Sequence, residues 1–584
     1  MSSSYSSSSS APAATAPTTT PFESFPAPAH AASSSSPWPS FDKHKADYSL
    51  YLVTDSTPKI LPAGKSLCDV VEAALRGSST SSSDGHEASS GGGGGGGVTC
   101  VQYREKHADT GAMIATAREL HAITRKYGRP LLINDRVDVA LAVGCEGVHI
   151  GQDDIDVQTA RKLLGDDKII GVTVSNAEEI EAACRGGADY LGIGTVFATA
   201  TKENTKSIIG IEGLQQLLQK LEDLKSSVKT VCIGGLNKTN ISRVLWQSTT
   251  PSGRSVDGVA LVSAIMAAPE PGVVAAQLLR VVKTPPAFST LAPAQGQLKR
   301  PPQDLLEVIP EVITAVDAKK PLSHNMTNLV VQNIAANVAL CVGASPIMAN
   351  YGEEAQDLAK LGGALVVNMG TVTPEGLQNY EKALKAYNEA SGPVVFDPVG
   401  AGATAVRRKA TRFILGAGYI SVIKGNQSEV LSCLPGGSTV QQRGVDSSAD
   451  TSDLSGLTAS IKTLASLRRN IVVMTGKVDY VTAGEAVYAI ENGHEYLGMV
   501  TGTGCCLGTT ISAMVAAYPK DGLAAVLAGL VIYNIAAEIA AEREDVRGPG
   551  TFVPAFLDEL WQLRRRTVLG DIGWLGRARV SLVQ

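Results

Sequence analysis

Three side chains near residue 100 set the first chemical constraint. Gln102, Arg104 and Lys106 alternate with Tyr103 and Glu105, so on an extended segment they face one side. Two cations beside an amide donor suit a diphosphate. Asp135 and Asp154 sit just past two later apolar runs. Such a pair can hold one Mg2+, with water and phosphate oxygens completing its octahedron. Gly234–Gly235 and Val262–Ser263 follow two further apolar runs. Backbone N–H groups at such turns take a monophosphate. Together these residues predict a site where a diphosphate meets a monophosphate.

A second constellation lies in the other half of the chain. Asp397-Pro-Val-Gly-Ala-Gly402 and Lys424-Gly-Asn-Gln-Ser-Glu429 are turns that follow apolar runs, and Thr501-Gly-Thr-Gly-Cys505 enters a small-residue helix. A glycine-rich turn leading into a helix makes an anion hole from backbone N–H groups, although these match neither a Walker A loop nor a dinucleotide fingerprint. Asn426 and Glu429 are three residues apart, one helical turn. They can share a hydrated Mg2+ or form a capping box, and both readings stand at this level. Cys505 falls at a helix start, which favours a thiolate and opens a role as base. His149 is nearer the aspartates, but a satisfied structural histidine is the preferred reading.

The elements that must position these groups are legible in the hydrophobic pattern. Eight short apolar runs between residues 46 and 283 alternate with segments of helical periodicity, among them Met113–Tyr127 and Leu214–Leu224. The runs are continuously apolar, as strands buried on both faces are. This predicts an α/β architecture beginning with a (β/α)8 TIM barrel, with a doubly wound open sheet as the alternative. Polar residues follow every run, from Thr54 and Asp55 through Thr173, and through Thr199, Thr201 and Lys202, to Ser263. A barrel gathers such residues at its C-terminal rim. Residues 305–584 read as a second α/β domain with parallel strands at Ala364–Asn368, Val394–Phe396, Ile420–Ile423 and Ile471–Thr475. Residues 1–45 read as a disordered Ser/Ala/Pro-rich tail, 77–97 as a flexible insertion, and the proline-rich stretch 284–304 as a linker. The insertion precedes the second strand, on the barrel end opposite the rim.

Composition excludes several classes. With 51 Lys and Arg against 56 Asp and Glu, the net charge is −5, so there is no basic footprint for nucleic acid. The nine cysteines are scattered without C-x-x-C pairs, which predicts a reducing, cytoplasmic setting and neither a disulfide scaffold nor a zinc site. Residues 1–40 carry no Lys or Arg and no apolar core of a secretory signal; a chloroplast-like address is the weaker alternative to a plain tail. The apolar stretch Leu523–Ala541 contains Asn534 and Glu538, so it reads as a buried core helix rather than a membrane span.

On these residues a family resemblance rests. Gln102 to Lys106, Asn134–Asp135, Val148-His-Ile-Gly-Gln-Asp-Asp154, Thr199-Ala-Thr-Lys202 and Ile233-Gly-Gly235 resemble thiamine phosphate synthase over nearly the whole barrel. The resemblance implies condensation of hydroxymethylpyrimidine diphosphate with a thiazole phosphate. By position, Gln102, Arg104, Lys106, Asn134, Thr173 and Lys202 would bind the pyrimidine diphosphate, with Arg104 and Lys202 catalytic. Asp135 and Asp154 would bind Mg2+, and Thr199, Thr201, Gly235, Val262 and Ser263 the thiazole phosphate. Arg136 departs from the acid expected there in many relatives.

The second half resembles the ribokinase-like kinases and, through Pro321-Leu-Ser-His-Asn-Met-Thr-Asn328, Gly343-Ala-Ser-Pro-Ile-Met348, Asp397 to Gly402 and Gly502-Thr-Gly-Cys505, hydroxyethylthiazole kinase. That implies ATP-dependent phosphorylation of a thiazole alcohol. Asn328, Met348 and Gly502 would contact the thiazole, Lys424 and Thr475 the ATP phosphates, and Asn426 and Glu429 the magnesium shell. Cys505 stands where many relatives carry an aspartate base. The resemblance also implies a homo-oligomer built on kinase trimers. The product of one half would be the substrate of the other. The rival readings, one catalytically dead half or a sensor of thiamine intermediates, predict loss of one activity or binding without pyrophosphate release.

Overall fold

The computed structural model describes residues 41–61, 63–77, 96–199, 207–292, 298–435 and 454–583. The tail 1–40, most of the 77–97 insertion, and Thr201 and Lys202 lie outside the described residues.

The first eight strands close into one all-parallel barrel: β1 Leu50–Val53, β2 Cys100–Tyr103, β3 Leu131–Asn134, β4 Gly147–Ile150, β5 Ile169–Val174, β6 Tyr190–Gly194, β7 Lys229–Ile233 and β8 Gly258–Leu261. The pairing of β1 with β8, Leu50 opposite Val259 and Leu52 opposite Leu261, completes the ring and removes the open-sheet alternative. The strands are Val-, Ile- and Leu-rich, and buried throughout apart from Thr173 and the two ends of β7. Such runs need apolar cover on both faces, which the outer ring of helices supplies on one and the packed barrel interior on the other. The helices start on short polar caps: Asp156 accepts from the Thr159 N–H and Asn176 from the Glu179 N–H.

The remaining nine strands form one sheet in the order β10-β9-β11-β12-β13-β14-β15-β16-β17. These are β9 Leu322–Met326, β10 Ser345–Ile347, β11 Ala364–Asn368, β12 Val394–Asp397, β13 Val422–Asn426, β14 Ile471–Thr475, β15 Asp479–Thr482, β16 Val487–Ile490 and β17 Val580–Leu582. The sheet is mixed. β9 to β14 pair in parallel, and β15, β16 and β17 are added antiparallel. The all-parallel expectation therefore holds for the expected strands and fails at this edge, where short turns join β14, β15 and β16 and the C-terminal strand β17 returns after the last helices. Helices cover both faces, with Pro302–Lys319, Thr503–Ala517 and Gly522–Glu542 in one apolar cluster and Pro374–Glu389, Ala405–Ala417 and Leu454–Arg468 in the other. Gly522–Glu542 is apolar enough to cross a membrane by length and composition, but 89% of its most apolar window is buried inside the fold. It is the central core helix.

Barrel and sheet are docked, and described residues of the stretch read as a linker pack on the kinase half. Phe288, in the segment read as linker, stacks on Tyr419 with ring centroids 4.7 Å apart. Arg300 pairs with Asp521 at 2.7 Å and its N–H donates to the Tyr488 hydroxyl.

Candidate active sites

The barrel mouth encloses a cavity of about 670 Å3 at the C-terminal ends of the strands. Gln102, Arg104, Lys106, Asn134, Asp135, Asp154, Thr173, Thr199, Gly235, Val262 and Ser263 all line it. Every residue expected in this site and described by the structure is therefore gathered in one place, although they come from seven different strand ends.

Charge governs the geometry. Lys106 Nζ lies 2.5 Å from Asp135 Oδ2, and Arg104 is 3.6 Å from the buried Asp55 carboxylate. Thr54 Oγ1 accepts the Arg104 N–H and fixes where that side chain leaves the strand. Asp154 Oδ2 accepts the Gly151 N–H at 2.7 Å. Burial, and then the adjoining Asp135 carboxyl, hold the Asp154 carboxyl above its usual range. Two carboxyls in contact, facing cations that are themselves half-exposed, make a place for a divalent cation and a polyanion together. Asp135 takes a left-handed backbone (φ 62), which Asp tolerates better than most residues, and this turns it toward Asp154. Gly234 and Gly235 have φ of 108 and 63. A Cβ on Gly235 would come within 2.7 Å of the Ala198 carbonyl, so glycine is required for this turn to form.

Beneath the mouth runs a buried hydrogen-bond chain. Gln102 Nε2 donates to the Tyr51 hydroxyl at 2.9 Å, Tyr51 and Tyr190 hydroxyls meet at 2.7 Å, His149 Nδ1 lies 2.7 Å from Tyr190, and His149 Nε2 lies 2.8 Å from Thr173 Oγ1. The chain joins Gln102 to Thr173 across the barrel. His149 is thus the satisfied, structural histidine expected. Tyr51 and Tyr190 carried no sequence signal, because each sits inside an apolar strand.

In the second half, four neighbouring strand ends converge. Lys424 on β13 lies 3.2 Å from Asp397 Oδ1 at the end of β12, with no aligned hydrogen bond to that oxygen, and its ammonium donates to the Gly504 carbonyl at 2.9 Å. Asn368, ending β11, donates to Asp397 Oδ2 at 2.9 Å and accepts from Asn328 Nδ2 at 3.1 Å. Asn328 Nδ2 also lies 3.9 Å from Cys505 Sγ. Thr475, ending β14, pairs in register with Asn426. Met348 is on the loop after β10 and packs half-buried against the core. Gly502, at φ 95, precedes the helix Thr503–Ala517; a Cβ there would strike Val331 at 2.4 Å.

The capping box is present: Asn426 Oδ1 accepts the Glu429 N–H and Glu429 Oε2 accepts the Asn426 N–H. Glu429 Oε1 also takes the Gly400 N–H at 2.8 Å. Burial and then the Asp397 carboxylate raise the Glu429 carboxyl above its usual value. Lys424 is buried too, yet the carboxylates around it keep its ammonium above the ordinary lysine value. The thiolate expected at Cys505 is not favoured. Burial, and then the nearby Asp397 charge, push this thiol up to about 11, outweighing the helix terminus. Asn368 and Asp397 were missed as individual site residues from sequence. The signal for Asp397 was its place at the strand end, opening the Asp-Pro-Val-Gly turn.

Comparison with known proteins agrees with this division. Residues 50–265 match the thiamine monophosphate synthase family and residues 313–566 the hydroxyethylthiazole kinase family. A Schizosaccharomyces pombe protein named "Probable thiamine biosynthetic bifunctional enzyme" is 41% identical over 545 residues, 92% of this chain and 99% of its own length. The Saccharomyces cerevisiae "Thiamine biosynthetic bifunctional enzyme" is 37% identical over 552 residues, 90% of this chain and 96% of its own. A barrel mouth built for a polyanion and a buried-charge kinase cleft on one chain thus meet relatives matched almost end to end, and the chain belongs to the bifunctional thiamine-biosynthetic enzymes, joining a thiamine phosphate synthase to a hydroxyethylthiazole kinase.

Proposed function

We propose that the C-terminal half transfers the ATP γ-phosphoryl group to the hydroxyl of hydroxyethylthiazole, and that the barrel joins the resulting thiazole phosphate to hydroxymethylpyrimidine diphosphate. In the second step the C–O bond to pyrophosphate breaks, a C–N bond forms to the thiazole nitrogen, and thiamine phosphate and pyrophosphate leave. The observation that carries this reading is the barrel cavity, where cationic side chains, a carboxylate pair and a glycine phosphate turn face a single space.

Arg104 and Lys106 meet the departing pyrophosphate, and Lys202 is assigned to the same task. Exchanging their carboxylate partners for pyrophosphate oxygens places positive charge where negative charge develops. Gln102 and Asn134 orient the aminopyrimidine, with Thr173 held by the His149 chain. Thr199, Thr201, Gly235, Val262 and Ser263 grip the thiazole phosphate, which brings the ring nitrogen to the pyrimidine methylene. The attacking nitrogen carries no proton, so no general base is needed. Asp135 and Asp154 would hold Mg2+, which when bound neutralises the diphosphate. Two ligands leave room for water and substrate oxygens, and among the described residues no cluster of three or more His, Cys, Asp or Glu forms a closed metal cage.

In the kinase half, Asn328, Met348 and Gly502 bind the thiazole, with Met348 giving a polarizable apolar contact. Lys424 and Thr475 hold ATP phosphates, and Asn426 and Glu429, with Asp397 beside them, hold the magnesium shell. Cys505 as thiol positions the alcohol, and the lack of a strong proton acceptor there is tolerated by a loose phosphoryl-transfer transition state. We assign a homo-oligomer built on kinase-half trimers and a cytoplasmic setting.

Purified full-length protein given the thiazole alcohol, ATP, Mg2+ and pyrimidine diphosphate should make thiamine phosphate. Product from thiazole phosphate but not from the alcohol would leave the kinase reading without support. No product from either would end the synthase reading as well.

A further inference from the structure

The barrel helix Ile241–Gln247 is where the two halves grip each other. Arg243 is 8% exposed and its guanidinium donates to the Gly418 carbonyl at 3.1 Å and the Leu415 carbonyl at 3.5 Å. Those carbonyls lie at the C-terminal end of the helix Ala405–Ala417, the negative pole of its dipole. Arg469 of the kinase half donates to the Trp246 carbonyl at 2.9 Å and stacks its guanidinium 3.7 Å from the Trp246 ring. Gln247 Nε2 donates to the Arg468 carbonyl at 3.3 Å, and Arg468 pairs with Glu212 on the preceding barrel helix, Gly210–Asp223.

The same helix anchors the synthase phosphate turn. Asn240, just before it, donates Nδ2 to the Gly235 carbonyl at 2.9 Å, and its Oδ1 accepts the Asn237 N–H at 2.8 Å. Gly235 lines the synthase cavity. The other side of the 237–240 segment is not packed. It borders a second cleft, of about 390 Å3, shared with Phe288 and the kinase residues Lys385 and Asn388. The turn is therefore steadied from behind, through a helix whose outward bonds go to the kinase half.

We propose that the kinase half buttresses the thiazole-phosphate grip of the synthase site, with Arg243 and Arg469 as positioning residues. This rests on the reading of Gly235 and Ser263 as that grip. The coupling is mechanical and local: it needs no passage of substrate between sites, and it touches the monophosphate end of the cavity only. The diphosphate end is assigned to residues on or after β2 to β6, whereas this helix follows β7.

The test uses the full chain. Arg469→Met removes the stacked cation and its hydrogen bond without entering either site, and Arg243→Met removes the carbonyl clamp. Each should raise the synthase KM for thiazole phosphate by about three- to tenfold, the scale of coupling through a packed network. The KM for pyrimidine diphosphate and the kinase kcat/KM should stay within about twofold of the parent. Arg469→Lys keeps the charge and should recover part of the loss. Hydrogen exchange in Ile241–Gln247 should quicken in both methionine variants. Faster exchange with an unchanged thiazole-phosphate KM would overturn the proposal, as would an equal rise in both synthase KM values. Ser263→Ala serves as the reference: it must itself raise the thiazole-phosphate KM. If it does and the interface variants do not, only the buttress fails. If it does not, the site reading fails and takes the buttress with it.

Discussion

The two sites handle charge in opposite ways. In the barrel, Lys106 and Arg104 keep 47% and 26% of their side chains exposed, and the carboxyl pair faces an open cavity. In the kinase half, Lys424 and Asp397 are 4% and 1% exposed and already paired, with Glu429 buried beside them. A solvated site can hold its cations in loose, half-exposed pairs that exchange for the incoming polyanion. A buried site cannot, because an uncompensated charge there costs several kcal/mol of fold stability. The difference teaches that charged residues at the barrel mouth are free to serve catalysis alone, whereas those in the kinase cleft also hold the fold together.

The sharpest way to break this comparison is to remove one lysine from each. Lys424→Met strands two buried carboxylates, so it should destabilise the kinase half by about 3 kcal/mol or more as well as abolish phosphorylation. Lys106→Met should lower synthase kcat/KM by about a hundredfold, the scale of one lost electrostatic donor, and change stability by less than about 1 kcal/mol. Chemical denaturation and the two separate assays give both readouts. Equal stability losses would show that burial does not divide the sites. Arg104→Met belongs with Lys106→Met: about a hundred- to a thousandfold in synthase turnover, with denaturation midpoint unchanged.

Cys505 sharpens the comparison at a smaller scale. With its thiol at about 11, the group stays protonated through neutral pH. The kinase rate across about pH 6 to 9 should therefore show no inflection from a thiol. Cys505→Ala should slow phosphorylation by about tenfold, and Cys505→Asp should keep or raise the rate, since a carboxylate can accept the proton that a buried thiol cannot. A Cys505→Ala enzyme with parental turnover would remove the residue from the reaction altogether.

The barrel was readable because its signal is repeated. Eight apolar runs, each followed by a polar residue, leave a closed ring as the arrangement that brings Gln102, Asp154 and Ser263 together, and the cavity does so. Four central kinase strands were readable as apolar runs, but β9, Leu-Ser-His-Asn-Met, was not, because most of its buried positions are polar. β15, β16 and β17 were not, because each is only three or four residues long, too short for a periodicity to show. Periodicity also says nothing of contacts between distant segments. Tyr51 and Tyr190 look like core residues in sequence, and their hydroxyls find His149 only when the barrel closes. Cys505 misled for a related reason: its helix start is local and visible, whereas the buried Asp397 that raises it is far away in sequence.

The smallest expected effect tests the barrel pair itself. The Asp154 carboxyl is held above its usual value, by burial first and by Asp135 next. A carboxyl raised in the folded state favours folding while it is protonated. That contribution is complete below the unfolded value and is lost as pH rises through the folded one. At neutral pH without metal, two carboxylates then repel across a solvated gap. Asp154→Asn removes the repulsion, so the metal-free variant should melt about one or two degrees above the parent at neutral pH, a small shift because Asp154 is exposed and Lys106 already screens Asp135. The gap should close as pH falls below the ordinary carboxyl range. Mg2+ should raise the melting temperature of the parent and leave the variant where it is, because the neutral amide no longer attracts the ion. Equal melting of the two metal-free proteins at neutral pH would mean that the Lys106–Asp135 pair cancels the repulsion in full, and the barrel mouth would then match the kinase cleft in complete self-neutralisation.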